Sequence, residues 1–278
     1  MPGDLARREL AGTRFADVRW VPETGSTNAD ALRLARDGAP EGVVLVADHQ
    51  TAGRGRAGRT WTAPPGASLL MTVLLRPPAA IAGLLTMAVG MAACVASEVV
   101  AGVSPGLKWP NDLVAVGEAG AADRKLAGVL AEADWPARSE ASGGWSEPSE
   151  AERVVVVVGI GLNVNWGGAF PDEVRDIAVA LDELAGHEID RESLLTALLV
   201  DFDARYRDLL ESGDPGPLLA EYRQRSATIG RQVRVDLGVS DIVGTAADIT
   251  SAGHLLIDRL DGERQEIAVG DVVHLRNA

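Results

Sequence analysis

The chain has 278 residues, a formal net charge of −14 and 46% hydrophobic residues. This length allows one large or two modest domains, each with its own core. The acidic charge excludes a general nucleic-acid binder, which needs a basic surface to displace counterions. No run of about 18 uncharged apolar residues occurs, so no membrane span is predicted. The first residues lack the apolar core of a signal peptide, which predicts a cytoplasmic protein with Cys94 reduced and buried.

The first half of the chain predicts alternating strands and helices. Strand-forming runs lie at 19–22, 43–47 and 68–75. Ser26 or Thr27 can cap a helix over 28–37, because a hydroxyl there can accept a hydrogen bond from a free backbone N–H of the first helical turn. The run 83–101 is apolar nearly all round, which predicts a buried helix. Between two of the strands, 49–65 is rich in Gly, Arg and Thr and predicts a loop.

The second half predicts more strands, then helices, then a separate small domain. Short strands with turns are expected over 107–133, and the polar segment 134–152 predicts a mobile surface insertion. The run 153–158 is the most hydrophobic and predicts a central strand. Helices are expected at 177–184, 191–210 and 217–225. Turns then follow about every nine residues, which predicts a small β-barrel. The predicted domains are therefore 1–225 and 226–278.

A loop of alternating glycines and arginines is the first candidate ligand site. It reads Gly53-Arg54-Gly55-Arg56-Ala57-Gly58-Arg59. Glycines let the backbone approach a ligand closely, and guanidinium forks match phosphate or carboxylate oxygens. No Gly-Lys-Ser/Thr follows, so this is not a Walker A loop. A disordered linker or an RNA-binding patch is the alternative, but a position between two buried strands favours anion binding.

Two further segments carry the chain's only lysines, Lys108 and Lys125, against 24 arginines. Coding bias explains the scarcity, yet a lysine that persists under such bias can be held by chemistry that arginine cannot do. KWPND at 108–112 is either a plain capped β-turn or a site that places Lys108 and Asp112 beside a charged substrate. In the strand RKLAG at 124–128, the two-residue period places Lys125, Ala127 and Val129 on one face. A lysine on an inward face requires an anion, and an edge-strand lysine is the alternative.

The segment GIGLNVN at 159–165 superficially resembles a dinucleotide-binding fingerprint. We reject that interpretation, because Val164 stands where the third glycine belongs and 166–171 cannot begin a helix. The glycines instead predict a strand against which a flat ligand can lie, and Asn163 can supply an amide oxygen to a ligand or a metal. The four histidines show no metal-ligand spacing.

Four segments, in this order, together resemble the biotin–protein ligases, in the monofunctional type without an N-terminal DNA-binding domain. They are TGSTN at 24–28, QTAGRGRAGR at 50–59, KWPND at 108–112 with RKLAG at 124–128, and GIGLNVN at 159–165. The resemblance implies an α+β fold: a mixed β-sheet catalytic domain packed with helices (class II synthetase-like, the biotin–lipoate ligase fold) and a small C-terminal SH3-like β-barrel.

The resemblance also implies residue roles. Those implied for biotin binding are Ser26, Thr27, Gln50, Gly53, Arg54, Arg56, Lys125, Gly128, Gly159 and Gly161. Those implied for ATP binding are Arg56, Arg59, Lys108, Asn111, Lys125 and Asn163, with Asn163 also facing the metal. The implied catalytic residues are Lys125, Arg56 and Asp112. For these roles to hold, Arg56 and Lys125 must share one cleft.

The activity implied is ATP-dependent biotinylation of a lysine on the biotin carboxyl carrier domain of acyl-CoA carboxylases, through biotinyl-5′-adenylate and with Mg²⁺. Because the first segment begins at Thr24, we expect no winged-helix domain, no repressor activity and no DNA partner. A monomer or a weak, ligand-promoted homodimer is expected. The alternatives are a lipoate or octanoyl transferase of related fold, and a non-catalytic protein such as a biotin-responsive regulator or an RNA-binding Gly/Arg module.

Overall fold

The computed structural model describes residues 3–117, 121–134, 149–238 and 240–275. In chain order, their helices and strands are α1 (Asp4–Glu9), β1 (Val18–Thr24), α2 (Thr27–Arg36), β2 (Val44–Gln50), β3 (Ser68–Leu75), α3 (Ala79–Ala82), α4 (Leu85–Ala101), β4 (Gly106–Lys108), β5 (Asp112–Ala115), β6 (Arg124–Asp134), β7 (Val155–Asn163), α5 (Asp172–Arg175), α6 (Leu181–Ala185), α7 (Arg191–Ser212), α8 (Gly216–Arg225), β8 (Gln232–Asp236), β9 (Asp241–Ile249), β10 (Leu255–Arg259), β11 (Arg264–Ile267) and β12 (Asp271–His274). None of these helices combines the length and apolar character that crossing a bilayer requires.

Seven strands form a mixed sheet in the order β1-β2-β3-β7-β6-β5-β4. β1 and β2 are parallel, and the other neighbours are antiparallel. The predicted central strand is confirmed, because β7 is the fourth of the seven. Alternate residues of β3 and β7 enter the main core, which α4 and α7 cover on one face of the sheet. On the opposite face α2 packs against β3 and β7 and leaves the rest of that face open for a site.

The predicted helix over 177–184 is wrong in its first half. Ile177 closes a turn, with its N donating to Val174 O at 3.0 Å, and residues 178–180 are not helical. Their backbone pairs with β6 through a parallel bridge between Ala178 and Lys125: Lys125 N donates to Ile177 O at 2.7 Å and Val179 N donates to Lys125 O at 2.9 Å. Ile177 is 59% exposed and Val179 is fully buried. The helix, α6, begins only at Leu181.

A second sheet follows the helices, with five antiparallel strands in the order β11-β10-β9-β8-β12. The predicted C-terminal β-domain is confirmed, whereas the boundary at 225/226 stays a prediction. This sheet contacts the first through Trp109, whose Nε1 donates to Gly253 O at 3.0 Å. Of the predicted insertion at 134–152, residues 135–148 lie outside the described residues. Its first residue, Asp134, is the last residue of β6, and β7 begins after it at Val155.

Cys94 lies in α4 and is buried and free. Burial raises the pKa of its thiol to about 12. Since the thiolate is the reactive form, we expect a thiol reagent near neutral pH to label the native protein only as fast as the protein opens, and to label the urea-unfolded chain rapidly. Rapid stoichiometric labelling of the native protein would contradict this burial.

Candidate active site

The cleft forms on the open face of the sheet, where glycines lie side by side. Gly128 of β6 pairs directly with Gly161 of β7. Our prediction that Lys125, Ala127 and Val129 share a face is wrong. The register between β5 and β6 shifts at this point, so Lys125 lies over Gly128 while Ala127 and Val129 face the core. A β-bulge resets the side-chain alternation, and here it directs the lysine into the cleft.

One cavity of about 840 Å³ occupies this cleft. The predicted site residues that line it are Ser26, Thr27, Gln50, Arg54, Arg56, Arg59, Lys108, Asn111, Asp112, Lys125, Gly128, Gly159, Gly161 and Asn163. Gly53 is the one predicted site residue that does not line it. Its carbonyl accepts a hydrogen bond from Trp61 N at 3.0 Å. Arg56 and Lys125 thus share one cleft, as the predicted roles require.

The predicted loop over the cleft is a short hairpin. Arg54 bridges Thr60, and Gly55 N donates to Arg59 O at 2.7 Å. A 3₁₀ turn at Arg56–Gly58 closes the hairpin. Ala57 at its tip has φ 53°, a left-handed conformation that is unusual for a residue with a side chain. The turn brings three guanidinium groups of one short segment over the cavity.

The loop arginines are held by groups from distant parts of the chain. Arg56 donates to Asn111 Oδ1 at 3.2 Å and to Gly270 O at 3.4 Å. Arg59 forms an ion pair with Asp271, the first residue of β12. Burial lowers the pKa of the Arg56 guanidinium, a shift that the charge of Asp112 opposes. The C-terminal sheet therefore contributes directly to the rim of the cleft.

Each lysine of the chain lies in the cleft, in a different environment. Lys125 Nζ is 2.6 Å from Asp112 Oδ1 and lies over the Trp61 ring, 5.7 Å from its centroid. Asp112 Oδ1 is buried and receives no hydrogen bond from the described part of the chain, so the contact is an ion pair. Burial lowers the pKa of the Lys108 ammonium, against the charges of Asp112 and Asp123. Lys125 is thus the better placed fixed cation.

A polar network forms the other end of the cleft, where α2 begins. The Ser26 hydroxyl accepts from Ala29 N at 3.5 Å, which confirms the predicted N-cap. Thr27 donates from its backbone N and its hydroxyl to Gln50 Oε1, at 2.7 and 3.0 Å. Gln50 Oε1 is therefore satisfied, and within the described residues its Nε2 has no protein partner. An amide donor fixed in this way can bind a ligand carbonyl.

Sequence reasoning missed Trp61, although it stands only two residues after the arginine loop. Its indole lies flat on Gly161, where an added Cβ would come within 2.5 Å of the ring, and it contacts Gly128 as well. Its Nε1 is buried without a partner among the described residues. In this structure a side chain therefore covers Gly161, and binding of a flat ligand against the strand glycines stays a prediction. Glu132, the ion-pair partner of Arg54 at 3.3 Å, was also missed.

The side chain of Asn28 explains why a second position of β7, residue 159, is a glycine. Its Nδ2 donates to Leu130 O at 3.2 Å and to Glu132 Oε2 at 2.8 Å, and the Thr72 hydroxyl lies 2.7 Å from its Oδ1. A Cβ on Gly159 would overlap Asn28 Oδ1 and come within 3.1 Å of Thr72 Oγ1. The Asn28 amide can therefore occupy this position only beside a residue without a side chain.

We expect Gly159→Ala to lower the free energy of unfolding by about 1 to 3 kcal/mol, since it overpacks a buried polar network. Urea denaturation measures the change. Gly12→Ala is the matched control, because a Cβ there meets nothing within 4 Å. A Gly159→Ala protein as stable as the Gly12→Ala protein would contradict the described packing.

Comparison with known proteins agrees with this architecture. A model described as the biotin/lipoate A/B protein ligase family matches residues 20–139, and one described as the biotin protein ligase C terminal domain matches 228–275. A biotin–[acetyl-CoA-carboxylase] ligase of Mycobacterium tuberculosis is 40% identical over 275 residues, which cover 96% of this chain and 92% of that protein. A bifunctional ligase/repressor of Bacillus subtilis is 35% identical over 94% of this chain and 77% of its own length.

A solved structure of a biotin protein ligase from Aquifex aeolicus, in complex with biotin and ATP, superposes with a TM-score of 0.74 at 28% identity. The alignment covers 95% of this chain and all of that one. Fold, cleft and relatives together define an enzyme of the ligase class. Within that class, the chain belongs to the biotin protein ligase family.

Proposed function

We propose that the cleft activates biotin with ATP as biotinyl-5′-adenylate and then transfers the biotinyl group to a lysine of a biotin carboxyl carrier domain of an acetyl-CoA carboxylase. The single observation that carries this proposal is the convergence of Arg56 and Lys125 on one cavity floored by strand glycines. Such a cavity offers fixed positive charge beside a surface on which a flat ring can lie. The names of the related ligases support the choice of biotin, ATP and acceptor.

In the first step, a carboxylate oxygen of biotin attacks the α-phosphorus of ATP. The new bond is between that oxygen and phosphorus, and the bond to the bridging oxygen breaks as pyrophosphate leaves. Two anions must approach each other, so the barrier is largely electrostatic, and prepositioned cations lower it. We assign the biotin carboxylate and the α-phosphate to Lys125, and the phosphates to Arg56 and Arg59. Thr27 and Gln50 would hold the biotin ring at the opposite end.

Four cations of the cleft already have a protein partner: Arg54, Arg56, Arg59 and Lys125. Partly exposed pairs of this kind contribute about 1 kcal/mol or less, so a polyanionic ligand can displace the carboxylates at small cost. The pairs also reduce the repulsion between neighbouring cations of the cleft. Trp61 must leave Gly161 before a ligand can contact that glycine, which couples ligand entry to movement of the segment after the hairpin.

Mg²⁺ fits the cleft as an ion carried chiefly on the nucleotide phosphates, as is usual for nucleotide sites. Asn163 is the protein ligand that we assign, because among the described residues its Oδ1 accepts a single long hydrogen bond, from Ser68 Oγ at 3.5 Å. Its Nδ2 donates to Val179 O at 3.2 Å, which orients the amide. When bound, the ion would neutralise phosphate charge.

In the second step, the neutral amine of the acceptor lysine attacks the acyl carbon and AMP leaves, which forms an amide. We assign Asp112 to receive or orient the amine proton, since its buried Oδ1 has unused hydrogen-bonding capacity. Its partner Lys125, with Nζ 2.6 Å from Oδ1, holds this carboxylate in place. Lys108 and Asn111 would border the path of the incoming lysine.

The test is transfer of biotin to a purified carrier domain in the presence of ATP and Mg²⁺, followed by mass spectrometry. We expect one biotinyl group on the carrier lysine, none on a carrier with that lysine replaced by arginine, and pyrophosphate release that requires biotin. Substituting lipoate for biotin should give neither product. Transfer of lipoate in preference to biotin would assign the chain to the related transferases and contradict the proposal.

A further inference from the structure

His274, the last residue of β12, lies in a buried polar cluster between the two sheets. Its side chain is 12% exposed and that of Asp123 is 8% exposed. His274 Nδ1 is 2.9 Å from Asp123 Oδ2, and an Arg231 nitrogen is 2.8 Å from the same oxygen. The cluster lies outside the lining of the cleft, so no ligand contact explains it.

The carboxylate side of the cluster fixes the histidine tautomer. Burial opposes ionisation of Asp123, but the hydrogen bond from Gly117 N and the charge of Arg231 hold its pKa below the usual value. An ionised carboxylate can only accept hydrogen bonds. Arg231 Nη1 lies 3.1 Å from His274 Nδ1, but it donates to the same Asp123 oxygen at the shorter distance of 2.8 Å. We therefore assign the proton to Nδ1 of His274, which donates it to Asp123 Oδ2. In the neutral ring, Nε2 is then an acceptor.

The hydroxyl of Thr228 completes a relay of fixed direction. Trp109 N donates to Thr228 Oγ1 at 3.1 Å, and His274 Nε2 lies 3.1 Å from the same oxygen. Thr228 is fully buried, so its hydroxyl proton needs a partner, and Nε2 of a neutral His274 provides it. In this relay Trp109 donates to Thr228, Thr228 donates to His274, and His274 donates to Asp123.

The two ends of this relay adjoin the two cleft lysines. Trp109 directly follows Lys108, and Asp123 stands two residues before Lys125. We infer that His274, in its neutral form with the proton on Nδ1, is a positioning residue that ties the C-terminal sheet to both lysine-bearing segments. The expected effect of the relay on adenylate formation rests on the proposed function. The relay itself can be tested independently of that function.

Protonation of His274 would break the relay. A second N–H, on Nε2, would face Thr228 Oγ1, and the hydroxyl proton of the fully buried Thr228 would lose its acceptor. The charged groups that face His274 are Asp123, Arg231 and Lys108. Burial lowers the pKa of His274, the two cations lower it further, and Asp123 opposes them. The contribution of the relay to stability is thus present above the ordinary histidine pKa and is lost as pH falls through the lowered one.

The first measurement is ¹⁵N NMR of the imidazole of His274 in the full chain, assigned by comparison with His274→Gln. We expect the tautomer protonated on Nδ1 and a titration midpoint below that of an exposed histidine. His254, which pairs with Glu266 on the exposed side of the same sheet, is the internal reference. A ring protonated on Nε2 alone, or one that titrates at or above the ordinary value, overturns the inference.

The second measurement is the pH profile of biotin-dependent pyrophosphate release. We expect Thr228→Val, which removes only the hydroxyl relay, to lower kcat/KM about tenfold near neutral pH, since small misplacement of catalytic groups is costly. In the wild-type chain we expect kcat/KM to fall at acid pH as His274 is protonated, and we call this fall the acid limb of the profile. The acid limb should be absent in Thr228→Val, because the relay is already broken in this variant. Thr250→Val, beside His254, is the matched control and should keep both the rate and the limb.

Two outcomes overturn the positioning role. One is a Thr228→Val protein with wild-type kinetics. The other is an acid limb that remains in His274→Gln but disappears when His49, which lines the cleft, is replaced in His49→Gln. A wild-type chain that releases no pyrophosphate with biotin contradicts the proposed function instead. In that case the NMR result still decides whether the relay exists.

Discussion

Replacing Lys125 by alanine is expected to reduce biotin-dependent adenylate formation by about 10²-fold or more, the loss typical when a prepositioned charge at a transition state is removed. Lys125 is the cation that the β6 bulge directs over Gly128, between Asp112 and the Trp61 ring. The measurement is the single-turnover rate of adenylate formation with saturating biotin and ATP. The remaining rate would reflect binding and the loop arginines.

Two controls separate charge from packing in this experiment. Lys125→Met keeps the length and apolar stem of the side chain, so it should lose as much activity as Lys125→Ala. Arg264→Ala removes one positive charge from an exposed pair with Asp258 on the second sheet and should leave the rate unchanged. Wild-type adenylation in the Lys125→Met protein would remove Lys125 from the mechanism.

Arg56→Ala is expected to produce a loss of similar size, about 10²-fold in adenylate formation, because the guanidinium would stabilise charge developing on the transferred phosphoryl group. Arg56 is the loop arginine that reaches farthest into the structure, with hydrogen bonds to Asn111 and Gly270. Arg56→Lys keeps the charge but loses the planar fork, so we expect it to recover only part of the rate.

The matched control for Arg56 is Arg33→Ala on α2, an exposed arginine whose neighbour Asp30 is 3.5 Å away. It should change neither kcat nor the KM for ATP. If Arg56→Ala raised only the KM for ATP and left kcat intact, Arg56 would bind the nucleotide equally in the ground and transition states, and its assigned role in the chemical step would be wrong.

Much of the fold follows from local patterns in the sequence. The five consecutive valines could be accommodated only in the middle of a sheet, and β7 lies there. The hydroxyl pair before α2 marked its N-terminus, because a cap is a local interaction between neighbours in sequence. The turn periodicity after residue 226 likewise predicted the second sheet.

The incorrect predictions arise where pairing between distant segments overrides the local spacing of apolar residues. The segment 177–180 has a helical pattern of apolar residues, yet its pairing with the backbone of Lys125 prevents it from forming a helix. Strict alternation along β6 predicted that Lys125 shares a face with Ala127 and Val129. A β-bulge, which no residue type in this segment predicts, places Lys125 on the opposite face. Both errors concern the same lysine, whose environment is set by two neighbouring segments.

The motifs could predict the cations of the site but not the anions that hold them. Glu132 and Asp271 stand outside every motif, and each becomes a partner only when distant strands are brought to the rim of the cleft. Trp61 was missed for a different reason: an aromatic residue after a loop is usually core, and only the glycines opposite it reveal its place.

The most direct test of the central claim is a rapid-quench reaction of the purified chain with biotin and ATP labelled on the α-phosphate, without any acceptor protein. If the cleft activates a carboxylate, label should appear in biotinyl-adenylate that stays bound, at about one equivalent per chain. Release of pyrophosphate at the same rate without biotin, or no labelled adenylate with both substrates present, would contradict the account.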